Sequence, residues 1–317
     1  MPSDNLIWRP TQRRIESANL TAFIHLVRQE VNSSIKNYSD LYLWSVEQPS
    51  DFWATIWQFC DIRASESYVS VVDDIKKMPG ATWFKGAKLN FAENLLKFPG
   101  AKPAIIFRGE DRRTRSIDYD SLRLQVARLA NALRSIGVGP GDRVAALIPN
   151  IPEAVIGMLA SASIGAIWSS CSPDFGVQGV LDRFGQIQPK ILFVSDGYTY
   201  KGKPFDSLSS AAALEKQIKS LEKIVVVPFL SDAPNIGCLE KGSCLADFIG
   251  QSSNDDLVFE QLSFNHPLYI LYSSGTTGKP KCIIHSVGGT LIEHLKELVL
   301  HTDLKSDDRI FYHTTCG

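Results

Sequence analysis

The residues best suited to chemistry sit together in "SSGTTGKPK", Ser273 to Lys281, which follows the apolar pair Leu271 and Tyr272. Ser273, Ser274, Thr276 and Thr277 offer four hydroxyls, and Lys279 and Lys281 add two positive charges. Gly275 and Gly278 free the backbone to turn its N–H groups inward. Donors and cations converging at this density match a polyphosphate. A solvated Ser/Thr/Gly turn is the other reading, and two lysines directly after the second glycine count against it. The P-loop of nucleoside triphosphatases needs four residues between its glycines, then Lys-Ser or Lys-Thr, then a helix. Here only Thr276 and Thr277 separate the glycines, Pro280 follows Lys279, and the next segment is strand-like. The P-loop reading therefore fails.

Elements that must position this loop are legible on both sides. "HPLYIL" before it and "KCIIHS" after it read as short strands, so the loop joins two strands or closes a sheet edge. Upstream, "PAIIF" reads as a strand, and "DYDSLRLQVARLANALRSIG" as an amphipathic helix with Leu122, Val126, Leu129, Leu133 and Ile136 on one stripe. Asp118 suits its N-cap and Gly137 the position just past its end. "GDRVAALIP", "AIWSS" and "KILFVS" read as buried strands, separated by the helical segments "PEAVIGMLASASIG", with Pro152 near its start, and "GVQGVLDRFGQIQ". Continuous apolar strands alternating with helices predict a parallel sheet covered on both faces, with ligands bound beyond the carboxyl ends of the strands.

The first hundred residues are different. "DLYLWSVEQPSDFWATIWQFCDI" places Trp53, Ile56, Trp57 and Cys60 at helical spacing, and "WFKGAKLNFAENLL" follows a turn at Pro79 and Gly80. Such a tryptophan stripe can line a ligand site, but packing is the better reading because large aromatics dominate burial. At 317 residues, two domains or one domain with an appendage are expected. A hydrophobic fraction of 44% and a net charge of −1 exclude an electrostatic pull toward nucleic acid or anionic membrane. The longest apolar run, Ala154 to Trp168, is too short to span a bilayer. The amino terminus lacks the apolar core of a secretory signal, and six cysteines without paired or zinc-type spacing read as reduced thiols, which together predict a cytosolic protein.

"YSSGTTGKPK" resembles the phosphate-binding motif of the adenylate-forming superfamily, which includes acyl-CoA synthetases, firefly luciferases and peptide-synthetase adenylation domains. "VARLANALRSIGVGPGDRVAALIPN" is similar to that family's early helix-strand block, and "WFKGAKLNFAENLL" to the amino-terminal extension of its acetyl-CoA synthetase branch. "LYLWSVEQPSDFW", "GAIWSSCSPDFGVQGVLDRFGQIQPK" and "KCIIHSVGGTLIEHLKE" look most like the branch that activates acetoacetate. The resemblance implies an α/β fold with parallel or mixed sheets covered by helices, the amino-terminal portion of an adenylate-forming enzyme. It implies an extension over 1–98 and an AMP-binding large domain over 99–317.

The reaction implied has two steps. Acetoacetate attacks the α-phosphate of Mg2+-ATP and expels pyrophosphate; the thiol of CoA then displaces AMP. ATP, Mg2+, CoA and acetoacetate are the expected small molecules, with acetate or propionate as alternative acids. The resemblance assigns the β- and γ-phosphates to Ser273, Ser274, Gly275, Thr276, Thr277, Gly278, Lys279 and Lys281. It assigns CoA phosphates to the basic turn Tyr200, Lys201, Gly202 and Lys203, bordered by Arg183, Ser172 and Asp174; a solvated basic turn is the other reading. No residue is assigned to a metal. The family's adenine, ribose and acyl-pocket segments and its lid lysine have no counterpart in these 317 residues. No catalytic residue is therefore expected within them, and the chain reads as the amino-terminal half of a ligase, inactive by itself or acting only by binding.

Overall fold

A computed structural model describes residues 7–250, 255–273 and 278–315. The chain divides into two compact units. The first comprises Met1–Ile62, Tyr68–Gly86 and Gly289–Tyr312, and the second Arg63–Ser67, Ala87–Gly288 and His313–Gly317.

In the first unit the aromatics pack on one another. The helix Pro49–Phe59 carries Phe52, Trp53 and Trp57. Trp57 stacks on Phe84 at 4.9 Å, Phe23 meets Phe59 edge-on at 5.1 Å, and Phe52 meets Trp53 edge-on at 5.1 Å. The stripe is spent on packing, as edge-to-face ring pairs favour. Cys60 falls just beyond the helix as its C-cap. The same unit holds a six-residue π-helix, Lys296–His301, pinned by the Asn19 side-chain amide, which donates to the Val299 and Leu304 carbonyls at 3.0 Å each.

The second unit is built on a seven-stranded sheet. Its elements are α1 (Tyr119–Ser135), β1 (Arg143–Leu147), α2 (Pro152–Ser163), β2 (Ile167–Cys171), α3 (Val177–Ile187), β3 (Ile191–Ser195), α4 (Leu208–Gln217), β4 (Lys223–Val227), β5 (Gly242–Cys244), α5 (Leu245–Ile249), β6 (Pro267–Ser273) and β7 (Lys281–Ser286). The spatial order is β5-β4-β3-β1-β2-β6-β7. All neighbours are parallel except β6 and β7, which pair antiparallel.

Strand composition explains the layers. β1 and β3 lie between parallel neighbours and are apolar on both sides. One face sends Ala145, Leu147, Leu192, Val194, Ile224 and Val226 into a core shared with Val180 and Phe184 of α3 and Leu214 of α4. The opposite face carries Phe193 and Val227, which with Leu129 of α1 and Ile156 of α2 line a cavity of about 50 Å³. α1 starts where its sequence indicates: the Asp118 carboxylate accepts from the Ser121 N–H at 2.7 Å, and Gly137 just past its end sits at φ +79°.

One strand lies elsewhere than the parallel pattern suggests. Among the described residues Pro103–Arg108 pairs only with Thr114–Asp118, in a separate antiparallel hairpin. The polar turn between them reverses the chain at once, and Ile106 stays 57% exposed. A segment wet on one side cannot fill a fully covered strand position.

From β1 the chain first crosses to β2, then returns past β1 to place β3 on its other side. Crevices beyond the carboxyl ends of strands, at such a reversal, are where open α/β sheets bind ligands. Three connections of interest leave that edge: residues 172–176 after β2, 196–207 after β3, and 274–280 after β6.

Candidate functional site

β6 and β7 form a hairpin closing one side of the sheet, with Ser273 opposite Lys281 and Tyr272 opposite Cys282. Ser274, Gly275, Thr276 and Thr277 lie outside the described residues. Beyond them, Gly278 is exposed at φ +116°, a backbone conformation that L side chains rarely adopt, and Lys279 and Lys281 are exposed. The turn's two lysines and Ser273 thus share one end of one hairpin.

Tyr272 anchors that end. Its hydroxyl lies 3.1 Å from Ser169 Oγ of β2, and Ser169 Oγ also donates to the Ile270 carbonyl at 2.9 Å. The ring packs on the core beneath α3, alongside Cys171 and Cys282. Burial pushes the Tyr272 hydroxyl well above its ordinary pKa and outweighs the hydrogen bond from Ser169. Burial also raises Cys171 to about 12, opposed by the nearby Arg183 charge. Neither group is a nucleophile or base near neutral pH.

The helix α3 supplies the second wall. Its Arg183 guanidinium lies 4.4 Å from the Phe175 ring centroid and 5.8 Å from that of Tyr272, and Nη1 donates to the Gly179 carbonyl at 2.7 Å. One turn on, Gln186 Nε2 donates to the Pro280 carbonyl at 2.9 Å, fastening the exit of the turn to the helix. Gln186, Tyr272 and Ser169 do not stand out in the sequence. Gln186 meets a partner 94 positions away, and no local pattern encodes that.

The basic turn after β3 is a tight hairpin in which Gly197–Tyr200 pairs with Lys203–Asp206. Lys201 and Gly202 both take positive φ, +51° and +72°, as a two-residue hairpin turn requires. Tyr200, Lys201 and Lys203 are exposed, and the Lys201 ammonium rests 5.2 Å from the Tyr200 ring centroid. The Gly202 N–H donates to Glu110 Oε1 at 3.0 Å, which brings a carboxylate beside the two lysines. Asp174, in the loop after β2, is close enough to Tyr198 of the same hairpin to help burial raise the Tyr198 pKa. Arg183 makes its contacts with Phe175, Gly179 and Tyr272, none of them in this hairpin.

Among the described residues no group of three or more His, Cys, Asp or Glu side chains could hold a metal ion. The five described cysteines, Cys60, Cys171, Cys238, Cys244 and Cys282, are free thiols. No helix among the described residues is long and apolar enough to cross a membrane.

The sheet and its edge hairpin have counterparts among known protein families. The AMP-binding enzyme family matches residues 91–316, and the acetyl-coenzyme A synthetase N-terminus matches residues 38–95. The chain belongs to the AMP-binding enzyme family.

Within that family it is similar to acetoacetyl-CoA synthetases. It is 47% identical to that of Rhizobium meliloti (strain 1021), covering 100% of this chain and 48% of the relative, and 44% identical to that of Gallus gallus, covering 98% and 48%. A malonamoyl-CoA synthetase of Penicillium aethiopicum is 38% identical over 99% of this chain and 45% of its own. The structure of acetoacetyl-CoA synthetase from Streptomyces lividans superposes with a TM-score of 0.90 at 41% identity, covering 97% of this chain and 47% of that one. The chain spans about half the length of the relatives it matches and corresponds to their amino-terminal half.

Proposed function

We propose that this chain provides the phosphate grip of an AMP-forming ligase that joins acetoacetate to CoA through an acyl-adenylate. The observation that carries the reading is the β6–β7 hairpin, in which Ser273 pairs with Lys281 at the carboxyl end of β6, Pro280 is fastened to α3 and Tyr272 to β2. In the first step the carboxylate of the acid attacks the α-phosphate and pyrophosphate leaves. The hydroxyls of Ser273, Ser274, Thr276 and Thr277, the glycines Gly275 and Gly278, and the charges of Lys279 and Lys281 hold that leaving group and stabilise its growing charge. These groups do no covalent chemistry. Mg2+ would enter as part of the triphosphate substrate and would supply charge neutralisation there, with no residue of this chain assigned to hold it.

In the second step the thiol of CoA displaces AMP. We assign the CoA phosphates to the turn Tyr200, Lys201, Gly202 and Lys203, whose lysines extend into solvent from a rigid hairpin. Residues 1–98 then act as the family's amino-terminal extension and 99–317 as part of its AMP-binding domain, in a cytosolic enzyme. The acid follows from the similarity to acetoacetyl-CoA synthetases. The malonamoyl-CoA synthetase relative favours a second reading, a different acid of the same shape, since acetoacetate and malonamate both carry a carbonyl at C3 and acetate and propionate do not.

Acid-dependent exchange of pyrophosphate into ATP, followed by thioester formation with CoA, measured on this chain joined to the carboxyl-terminal half that its relatives carry, tests both readings. Acetoacetate is expected to be turned over faster than malonamate, acetate and propionate. Faster turnover of malonamate establishes the second reading, and faster turnover of acetate or propionate refutes both.

A further inference from the structure

The basic turn after β3 is met by the turn of a second hairpin. Tyr200 and Lys203 pair across the basic turn, so the Gly202 N–H between them has no place in the strand ladder. It donates instead to Glu110 Oε1 at 3.0 Å. Glu110 lies in the turn that joins Pro103–Arg108 to Thr114–Asp118, and this turn is braced. The Gly109 N–H donates to the Arg113 carbonyl at 2.8 Å and the Arg112 N–H to the Gly109 carbonyl at 3.0 Å. The Arg113 side chain donates to Asp111 Oδ2 at 2.5 Å and to the Phe229 carbonyl at 2.6 Å, with its guanidinium 4.6 Å from the Phe229 ring centroid. Asp111 is thereby neutralised inside its own turn, whereas the Glu110 carboxylate is directed at the neighbouring one. The root of the basic hairpin is tied to the same place: the buried Asp196 carboxylate accepts from the N–H groups of Phe229, Leu230 and Ser231 at 2.7, 2.9 and 2.8 Å. Both hairpins are fastened to residues 229–231, so the contact between Glu110 and Gly202 joins two fixed supports.

A backbone N–H at a turn, adjoined in the chain by Lys201 and Lys203, attracts an anion. In the free chain a carboxylate of the protein itself takes that place. One N–H cannot serve a carboxylate and a phosphate oxygen together, and two anions brought to one donor repel each other. We infer that Glu110 is a built-in competitor at the basic turn, holding the Gly202 N–H until a phosphate group of the incoming ligand displaces it. This rests on the reading that CoA phosphates bind at Tyr200–Lys203, and it makes Glu110 a threshold on that binding. A phosphate monoester brings more charge than a carboxylate and three acceptor oxygens to share between the N–H and the ammonium groups, so it can take the place over. A ligand without phosphate gains nothing by doing so.

The probes are CoA, dephospho-CoA and pantetheine, titrated calorimetrically into the 317-residue chain at low ionic strength, where exposed charges are least screened. Glu110→Gln and Glu110→Ala remove the competing charge, and because Glu110 is exposed both variants should fold as the wild type does. Each is expected to bind CoA about 2- to 10-fold more tightly, the net value of one hydrogen bond. Pantetheine binding should not change. A gain shared by dephospho-CoA supports displacement by the diphosphate, and a gain confined to CoA supports displacement by the 3′-phosphate. Glu222→Gln, just before β4 at its amino end, controls for net charge and should leave CoA binding unchanged. Unchanged or weaker CoA binding in both Glu110 variants, with Lys203→Ala weakened, overturns the inference and leaves the turn reading standing. An equal gain in Glu222→Gln, or for pantetheine, overturns it as well. CoA binding that neither Lys201→Ala nor Lys203→Ala weakens, or that is absent from the wild type and both Glu110 variants, overturns the turn reading itself.

Discussion

Tyr272 joins the hairpin to the sheet through two separable contributions, its hydroxyl and its ring. Tyr272→Phe removes a neutral hydrogen bond to Ser169 Oγ and keeps the ring between the core and Arg183. Ser169 retains its bond to the Ile270 carbonyl at 2.9 Å, so no buried donor is orphaned. The expected loss is then the net value of one hydrogen bond, about 0.5–1.5 kcal/mol, without a desolvation penalty. Tyr272→Ala removes the ring as well. A fully buried aromatic costs ~3–5 kcal/mol on truncation, and a half-buried one at a sheet end should cost about 2 kcal/mol. Urea melts of both variants at pH 7 measure the difference. A second signature separates them at high pH. Because burial raises the folded-state pKa of Tyr272 above its ordinary 10.0, the native chain holds that proton more tightly than the unfolded one. The associated stability is present below pH 10 and is lost as pH rises beyond it. Tyr272→Phe should lose less stability than wild type between pH 9 and pH 11 (about the window set by ordinary phenol titration). A Phe variant that costs as much as the Ala variant, or a wild type whose alkaline loss equals that of Phe, would refute the packing and burial assigned to this residue.

Other outcomes follow from the same geometry. In the chain joined to the carboxyl-terminal half that its relatives carry, Lys281→Ala or Thr276→Ala should slow adenylation by about 10²- to 10³-fold with CoA affinity unchanged, read by pyrophosphate exchange and CoA titration. Native-state alkylation with iodoacetamide near pH 8 should modify the exposed Cys238 and spare Cys171, whose thiol burial raises to about 12; peptide mass spectrometry reports both. Asp118→Ala should lower the melting temperature by about 2 °C at pH 7 through loss of the α1 cap. That deficit should shrink in acid, because hydrogen bonds from Ser121 hold the Asp118 pKa below its ordinary 3.8 and its contribution disappears as pH falls through the folded value.

Much of the fold was legible because its signals are local. Leu122, Val126, Leu129 and Leu133 repeat at helical spacing, Asp118 and Gly137 punctuate their helix, and the apolar strand segments of β1, β2 and β3 alternate with helices as a parallel sheet demands. The strands flanking Ser273–Lys281 were legible for the same reason, as two short apolar runs set apart by a glycine-rich turn. Strand placement was not. "PAIIF" reads like its neighbours yet pairs outside the main sheet, because pairing depends on which edges other segments leave open. The segment Gly289–Tyr312 joins the amino-terminal aromatics in one unit, a choice of partner that no local pattern carries. The companions of the site were hidden in the same way. Sequence alone determined that a turn rich in glycine, hydroxyls and lysine joins two strands; only the tertiary structure decided that Tyr272 anchors its entrance, that Gln186 fastens its exit, and that Arg183 packs against Phe175 and Tyr272. Side chains separated by about a hundred positions meet only once the sheet has ordered its strands, and the short-range preferences that make helices and turns readable say nothing about that order.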